Sequence, residues 1–222
     1  VGFERTRFSK ASFDLVISNV PFERAGPADS RYPELSLHNY FFARAIDLTK
    51  PGGLVVFITS ESTMDSPSSD EARAYFAKHA DLVGAIRLPN TAFSENAGTE
   101  VTTDILVFRR KDGARFYGHE FQRIVPAKTH DGRDTTVNQY FDANPGQLLG
   151  QLSLDGTLYG GGDQRTLIPI PGADLEQQLK AAIATFPENV MGAAKVVAPQ
   201  IESELATGKL GQLAVRDGVV KQ

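Results

Sequence analysis

Two short runs of apolar residues with one helical segment between them constrain the fold of this chain more than any other feature. The runs are Phe13–Ser18 and Leu54–Thr59. Between them, from Ser36 to Lys50, apolar residues recur at helical spacing, and Ser36 is placed to cap the helix. Continuous apolar strands on either side of a helix are typical of a parallel βαβ unit covered on both faces. We therefore predict that both strands are buried.

The residues after the second strand predict one more helix and two more strands of the same sheet, followed by a separate C-terminal appendage. A helix is expected over residues 69–79, and strands over 82–88 and 102–110, the last of them antiparallel. After Lys111 the periodic signal weakens. We place a soft boundary near Pro171, so that residues 1–170 form one unit and residues 171–222 form a helical and hairpin appendage.

Within the second half, five local patterns support specific expectations. We predict a short helix near 137–141, a flexible loop at 160–163, a helix over 174–186 capped by Asp174, a short helix over 199–205, and a hairpin around Asp217-Gly218.

Composition narrows the class of protein. Hydrophobic residues make up 41% of the chain and charged residues 23%, which is enough for a packed core. No apolar run approaches the roughly 18 residues that cross a bilayer, so we expect no membrane partner. The chain has no cysteine, which excludes disulfides and thiolate zinc sites and agrees with a cytoplasmic location. The four histidines show no metal-ligand spacing, and we predict no metal.

A four-residue motif, Asn19-Val20-Pro21-Phe22, follows the first predicted strand directly. Ligands of open α/β sheets bind at the carboxyl ends of strands. Residues 13–22 resemble motif IV of the amino-methyltransferases, usually written (D/N/S)-P-P-(Y/F). They most resemble the N6-adenine DNA methylases, which include large bacterial and phage proteins that join a methylase to a helicase.

The segments that follow the motif support this resemblance because they occur in the family's order. They are the helix at 37–45, the Lys50-Pro51-Gly52-Gly53 turn with its strand, and the segments 86–93 and 100–111. The resemblance covers about residues 1–111. It implies an α/β fold containing a partial Rossmann-like methyltransferase sheet, mixed but mostly parallel, with the C-terminal helical and hairpin appendage.

The resemblance implies a role for each residue of the motif. The Asn19 side-chain oxygen and the Val20 carbonyl would accept the two hydrogens of an exocyclic amine. Pro21 would hold the loop rigid, since its φ is fixed, and Phe22 would stack on the extruded base. The family usually has proline where this chain has Val20. Because that position acts through its backbone carbonyl, we expect valine to be tolerated.

The cofactor implied by the resemblance is S-adenosylmethionine, which the family binds with a Gly-rich turn and a later acidic residue. The only glycine cluster here, Gly160-Gly161-Gly162-Asp163, follows no buried strand. Phe3 alone could carry over as a cofactor contact, because Gly2 stands where the family has an acidic residue. We therefore expect the main cofactor motif to lie outside this chain, in an upstream half of the domain, and the isolated chain to be inactive.

The leading hypothesis is a site-specific DNA methyltransferase, truncated here, that acts on the N6 amine of adenine in a restriction, anti-restriction or mobile-element protein. Its partners would be DNA with a flipped adenine, the upstream half, and a helicase or specificity domain. The net charge of −4 requires any DNA contact to be local or supplied elsewhere.

Three other interpretations stay open at this point. The chain could methylate a protein glutamine, because glutamine N5-methyltransferases carry a similar motif. It could be a non-catalytic DNA-recognition remnant. Alternatively, Asn19 and Pro21 could be ordinary turn formers.

Ser60-Glu61-Ser62, which follows the second strand, could reach the same sheet edge or cap the next segment.

Overall fold

The computed structural model describes residues 2–21, 26–27, 29–32, 34–94, 100–116, 118–156 and 164–192, together with the backbone of 214–216 and 219–221. The loop predicted at 160–163 and the helix predicted over 199–205 lie outside these residues.

A four-stranded mixed sheet forms the centre of the described residues. Its strands are β1 (Phe13–Asn19), β2 (Thr49–Ser60), β3 (Ala80–Leu88) and β4 (Thr103–Arg110), in the order β1-β2-β4-β3. β1 pairs with β2 in parallel, and β4 is antiparallel to both β2 and β3. Three strands therefore run in one direction and β4 opposes them, which confirms the predicted mixed, mostly parallel α/β sheet.

Helix α1 (Leu37–Leu48) connects β1 to β2, and the helices α2 (Ser62–Asp65) and α3 (Asp70–His79) lie between β2 and β3. The predicted turn at Pro51-Gly52-Gly53 is instead an irregular part of β2, which begins at Thr49 directly after α1. Phe13 pairs with Thr49 whereas Leu15 pairs with Leu54, so the extra residues bulge out of the ladder. Gly52 has a φ of 80°, a conformation that glycine adopts without strain.

Aromatic side chains dominate the main core, which lies between α1, α3 and one face of the sheet. The Phe42 ring is 4.8 Å from that of Phe57 and 5.5 Å from that of Phe76, and Phe108 completes the group. All four side chains are essentially fully buried. Burial of one such side chain stabilises the fold by about 1.5–3 kcal/mol, so this cluster accounts for much of the attachment of α1 and α3.

The expectation that β1 is buried was wrong for the described residues. Leu15 is 47% exposed and Ile17 is 71% exposed. β1 is an edge strand, paired only with β2 in the described part of the chain. The main core lies on the opposite face, which Val16 and Val20 share. An apolar run shows that a strand favours burial, but it does not show what covers the strand.

The second half adds an extension of short hairpins and helices. It contains β5 (Ile124–Lys128), β6 (Asp134–Asn138), α4 (Gln139–Ala143), β7 (Gln151–Ser153) and β8 (Thr166–Ile168). β5 pairs with β6 and β7 with β8, both antiparallel. The short helix expected near 137–141 begins two residues later, because Val137 and Asn138 belong to β6.

The last described helix, α5 (Leu175–Ile183), agrees with the prediction, and the Asp174 side chain caps it by accepting from the Glu176 and Gln177 amides. Ala182 and Phe186 pack with Ile86 of β3. Strands β9 (Ala214–Arg216) and β10 (Val219–Lys221) are antiparallel, which confirms the terminal hairpin. The boundary near Pro171 stays a prediction. None of the described helices has both the length and the hydropathy needed to cross a membrane.

A buried ion network ties the sheet to α2 and to the extension. Arg87 donates from Nε and Nη2 to both Asp104 oxygens at 2.7 and 2.8 Å, and from Nη1 to Asp65 at 2.6 Å. Arg87 and Asp104 are opposite each other on β3 and β4. The Asn138 amide donates to Asp65 at 2.9 Å, and the Arg87 guanidinium lies 4.4 Å from the centre of the Phe141 ring.

The electrostatics of this network keep Arg87 charged. Burial alone lowers the pKa of Arg87, but the charges of Asp104 and Asp65 outweigh it and hold this pKa well above its ordinary value. All three side chains are completely buried. Breaking such a network leaves a charge without a partner in a medium of low dielectric constant.

We predict that Arg87→Ala lowers the free energy of unfolding by about 3–5 kcal/mol, because Asp65 and Asp104 lose their shared cation. Urea denaturation monitored by circular dichroism measures this change. Arg133→Ala is the control, since its ion pairs are on the surface and removal of such pairs costs about 1 kcal/mol or less. Equal losses for the two variants would contradict the prediction.

Candidate active site

The Asn19-Val20-Pro21-Phe22 motif begins at the carboxyl end of β1, where the sequence predicted it. Asn19 is the last residue of the strand and pairs with Ile58 of β2. The Val20 amide extends the ladder by donating to the Ile58 carbonyl at 3.1 Å. The backbone of Asn19 and Val20 is therefore anchored to the sheet at the edge where α/β proteins bind ligands.

The alternation of the strand separates the two residues that were expected to hold an amine. Val20 is 2% exposed and packs into the main core. Asn19 points to the opposite face and is exposed. The Asn19 side chain makes no hydrogen bond to any residue that the structure describes. Because the Val20 side chain is in the core, only its backbone can act at the site, in line with the predicted role of its carbonyl.

The remaining residues of the motif are partly described. Pro21 is exposed and follows the last ladder hydrogen bond of β1. Phe22 lies outside the described residues, so its stacking role stays a prediction.

Phe3 lies in a 3₁₀ turn (Phe3–Arg5) against α1. Its ring stacks on that of Phe41 with centroids 4.9 Å apart, and the Arg44 guanidinium lies 5.0 Å from its centre. Arg44 in turn donates to the Thr6 carbonyl at 2.8 Å. The ring is only partly exposed, so α1 fixes the position of the residue predicted to contact the cofactor.

The turn after β2 contributes polar side chains to the same edge. The Ser60 and Ser62 hydroxyls lie 2.5 Å apart, and Ser62 Oγ is 3.4 Å from His38 Nε2. Since Asn19 pairs with Ile58, Ser60 is two residues further along and its side chain shares the face of Asn19. The turn thus follows β2 at the carboxyl end of the sheet, and Glu61 occupies the N-cap position of α2 without a capping hydrogen bond from its side chain.

Ser60, Glu61 and Ser62 line a cavity of about 270 Å³ together with Asn90, Thr102 and Arg165. No described residue of the Asn19-Val20-Pro21-Phe22 motif belongs to this lining. Asn90, Thr102 and Arg165 were missed by sequence analysis. Asn90 and Thr102 are in segments that the family resemblance covers, but Arg165 comes from the extension, where the sequence carries little periodic signal. Their proximity results from long-range pairing, which no local pattern indicates.

Glu61 is the ionisable group in this cavity with the most altered titration. Burial raises the pKa of Glu61 to about 7, although the positive charges of Arg87 and Arg165 oppose this rise. Glu61 Oε2 is 3.8 Å from Arg87 Nη1, and Oε1 is 3.5 Å from Arg165 Nε. Near neutral pH the side chain therefore exists in both protonation states, and it can donate or accept a hydrogen bond.

Within the ranges described above, no group of three or more histidine or carboxylate side chains could hold a metal ion.

We predict that Glu61→Gln changes how stability depends on pH. A folded-state pKa raised from 4.5 to about 7 stabilises the fold at low pH, and this contribution is lost as the pH rises through 7. As the pH rises from about 4.5 to about 8.5, the wild type should therefore lose roughly 1–3 kcal/mol of unfolding free energy that the variant keeps. Urea denaturation at both pH values measures the difference. Glu176→Gln, which removes an exposed carboxylate, is the matched control, and an equal pH dependence in both variants would contradict the prediction.

Comparison with known proteins identifies a similar family for the N-terminal part of the chain. Residues 2–93 match the model of the family described as Eco57I restriction-modification methylase. Over 103 residues the chain is 33% identical to the "Defense against restriction protein B" of Escherichia phage P1. That match covers 45% of this chain and 4% of the phage protein.

Solved structures overlap with the chain only partially. A candidate class I S-adenosylmethionine-dependent methyltransferase from Listeria monocytogenes is 21% identical, with a TM-score of 0.43 over 53% of this chain and 37% of that one. A methyltransferase subunit of a type I restriction-modification system from Streptococcus thermophilus is 14% identical, with a TM-score of 0.42 over 83% of this chain and 34% of that one.

The family match covers the motif, the βαβ unit and β3. Residues 2–93 are thus similar to the Eco57I restriction-modification methylases, which confirms the resemblance to restriction-type methylases that the motif predicted.

Proposed function

We propose that this chain forms the amine-holding half of a methyltransferase that acts on the N6 amine of adenine in DNA. One observation carries the proposal: Asn19 presents an exposed side-chain amide at the carboxyl end of β1, while the adjacent Val20 is anchored in the core. The match of residues 2–93 to a family of restriction-modification methylases supports the same chemistry.

The geometry suits the problem that such a reaction poses. An exocyclic amine on a purine is a poor nucleophile because its lone pair is delocalised into the ring. Two hydrogen-bond acceptors that hold both N–H groups favour a pyramidal nitrogen and direct its lone pair. Asn19 Oδ1 and the Val20 carbonyl are the two acceptors in our proposal. Pro21 directly follows the two acceptor residues and limits the conformations of the loop there, since its φ is fixed.

Access to the amine requires that the base leave its stack. Phe22 would offer a flat face to the extruded base, where stacking contributes roughly 1–3 kcal/mol. The net charge of −4 leaves no overall excess of positive charge, so any DNA contact made by this chain would be local. Other domains, such as a helicase or specificity domain, would then supply most of the contacts to the phosphate backbone.

S-adenosylmethionine would supply the methyl group. The residues of this chain fit it only in part, since among the described residues Phe3 is the one candidate contact and is already packed against Phe41 and Arg44. We propose that an upstream half of the domain, outside the chain, holds the cofactor and that the chain is inactive without it.

The open side of β1 is where this other half would attach. The outer edge of β1 has no strand partner among the described residues, and Leu15 and Ile17 present large apolar side chains beside Asn19. Proteins normally cover or pair such an edge, because it otherwise promotes aggregation. A cofactor-binding half that paired with this edge and covered the face carrying Leu15 and Ile17 would lie next to the amine-holding residues.

We predict that Asn19→Ala, made in a protein that joins this chain to its cofactor-binding half, lowers methyl transfer to DNA by roughly 100-fold or more, because the amine loses one of its two positioning acceptors. Transfer of a radiolabelled methyl group to DNA measures the effect. Asp14→Ala, at the far end of the same strand, is the matched control and should retain activity. Label in protein and not in DNA would indicate glutamine methylation, and label in neither would indicate a non-catalytic module.

We also predict that the isolated 222-residue chain does not bind S-adenosylmethionine with micromolar affinity, because Phe3 alone cannot enclose it. Isothermal titration calorimetry with the purified chain measures this directly. Micromolar binding would contradict the proposed division of the domain, and its loss in Phe3→Ala would then assign the site to Phe3.

A further inference from the structure

The cavity at the sheet edge is a built part of the fold, because buried hydrogen bonds join its two walls. One wall comes from residues 60–62, 90 and 102, and the other comes from Arg165 and Thr166 of the extension. The Thr102 and Thr166 hydroxyls lie 3.1 Å apart, and Thr102 Oγ1 accepts from the Leu167 amide at 2.9 Å. The Asn90 amide donates to the Leu167 carbonyl at 2.8 Å. The extension thus completes the cavity with fixed geometry.

Arg165 is held at this cavity by the residues around it. Its Nη1 donates to Thr136 Oγ1 at 3.1 Å, and its Nη2 donates to the Asp65 carbonyl at 3.4 Å. Its Nε is directed towards Glu61, with 3.5 Å between Nε and Oε1. Two of the three guanidinium nitrogens are therefore anchored, and the third is presented beside the Glu61 carboxyl group.

Several buried polar atoms around the cavity lack hydrogen bonds within the described part of the chain. They are Arg165 Nε, Glu61 Oε2 and Asn90 Oδ1. Arg165 Nε and Glu61 Oε2 have ion-pair contacts of 3.5 and 3.8 Å, which are longer than hydrogen bonds. Buried polar atoms that lack a hydrogen bond usually have a water or ligand partner. The set contains both donors and acceptors, which suits a ligand whose edge also carries both.

The charges near the cavity argue against an anionic ligand. Glu61, Asp65 and Asp104 lie around Arg87 and Arg165, so carboxyl groups outnumber guanidinium groups in this cluster. A phosphate would be repelled by them, whereas an uncharged heterocycle would not. Glu61 can serve a heterocycle as either donor or acceptor, because burial raises its pKa to about 7.

We propose that this cavity binds a nucleobase and that Glu61 and Arg165 recognise its edge, which makes Arg165 of the extension a specificity-determining residue. The inference rests on the proposed function, since the base is the one whose amine Asn19 and Val20 hold. No described residue of the motif lines the cavity, so the base would extend from Asn19 into it across Ser60, which follows Ile58, the partner of Asn19, by two residues on the same face.

The test is a titration of the 222-residue chain with adenosine and, separately, with inorganic phosphate. Adenosine should shift the backbone amide NMR signals of Glu61, Asn90 and Thr102. Arg165→Gln should weaken adenosine binding by about tenfold or more, because a charged hydrogen-bond donor is lost. Arg123→Gln is the matched control, since Arg123 is in the same extension but its Nε donates to Gln139 away from the cavity.

Thermal unfolding of each variant checks that it is folded, and Glu61→Ala provides a second test if Arg165→Gln is not. The proposal is overturned if adenosine shifts no cavity signals, if Arg165→Gln and Arg123→Gln bind it equally well, or if phosphate binds in the cavity instead.

The two proposals can fail separately. If Asn19→Ala abolishes DNA methylation but adenosine binding does not depend on Arg165, only the cavity assignment is wrong. If adenosine binds through Arg165 but Asn19→Ala leaves DNA methylation intact, the amine-holding function is wrong and the cavity assignment remains.

Discussion

The buried contact of Arg87 with Asp104 and Asp65 is the interaction on which the arrangement of the candidate site depends. Arg87 and Asp104 are cross-strand neighbours, so their ion pair is tied to the register of β3 and β4. Asp65 belongs to α2, and its second oxygen accepts from the Asn138 amide of the extension. One guanidinium group therefore joins the sheet, the helix that follows β2, and the extension. A one-residue slip of β3 would turn Arg87 away from both carboxylates.

This network also determines the surroundings of Glu61. Glu61 precedes α2 and lies four residues before Asp65, so the anchoring of Asp65 places Glu61 at the cavity. Burial then raises the pKa of Glu61, while Arg87 and Arg165 limit the rise. Buried ion pairs contribute little net stability because desolvation offsets their attraction. Their effect here is geometric: because separating the buried charges is costly, the ion pairs hold the sheet, α2 and the extension in a single arrangement.

The two faces of β1 explain how one strand can serve both the core and a site. Val16 and Val20 pack towards α1, whereas Leu15, Ile17 and Asn19 are on the exposed face. The anchored side of the strand limits movement of the motif, and the open side leaves Asn19 accessible. In the proposed function a cofactor-binding half would cover this open face. The apolar character of Leu15 and Ile17 would then stabilise an interface instead of an internal core.

Much of the fold was predictable from the sequence because it depends on local patterns. The helical spacing of residues 36–50 and 174–186 identified α1 and α5, and apolar runs identified the strands of the sheet. Asp174 was recognised as a helix cap because a side-chain acceptor is needed at that point. The extension was predicted less well. Its hairpins are short, and α4 was placed two residues too early because Val137 and Asn138 belong to β6.

The motif at the end of β1 was determined by the sequence alone, since a strand followed by Asn-Val-Pro-Phe specifies both the location and the residue types. Its surroundings were decided only by the tertiary structure. The exposure of Leu15 and Ile17 depends on which elements pack against β1, and the meeting of Glu61 with Arg165 depends on contacts between residues about 100 positions apart. Periodicity reports how a segment divides between polar and apolar surroundings, but it carries no information about which distant segment supplies them.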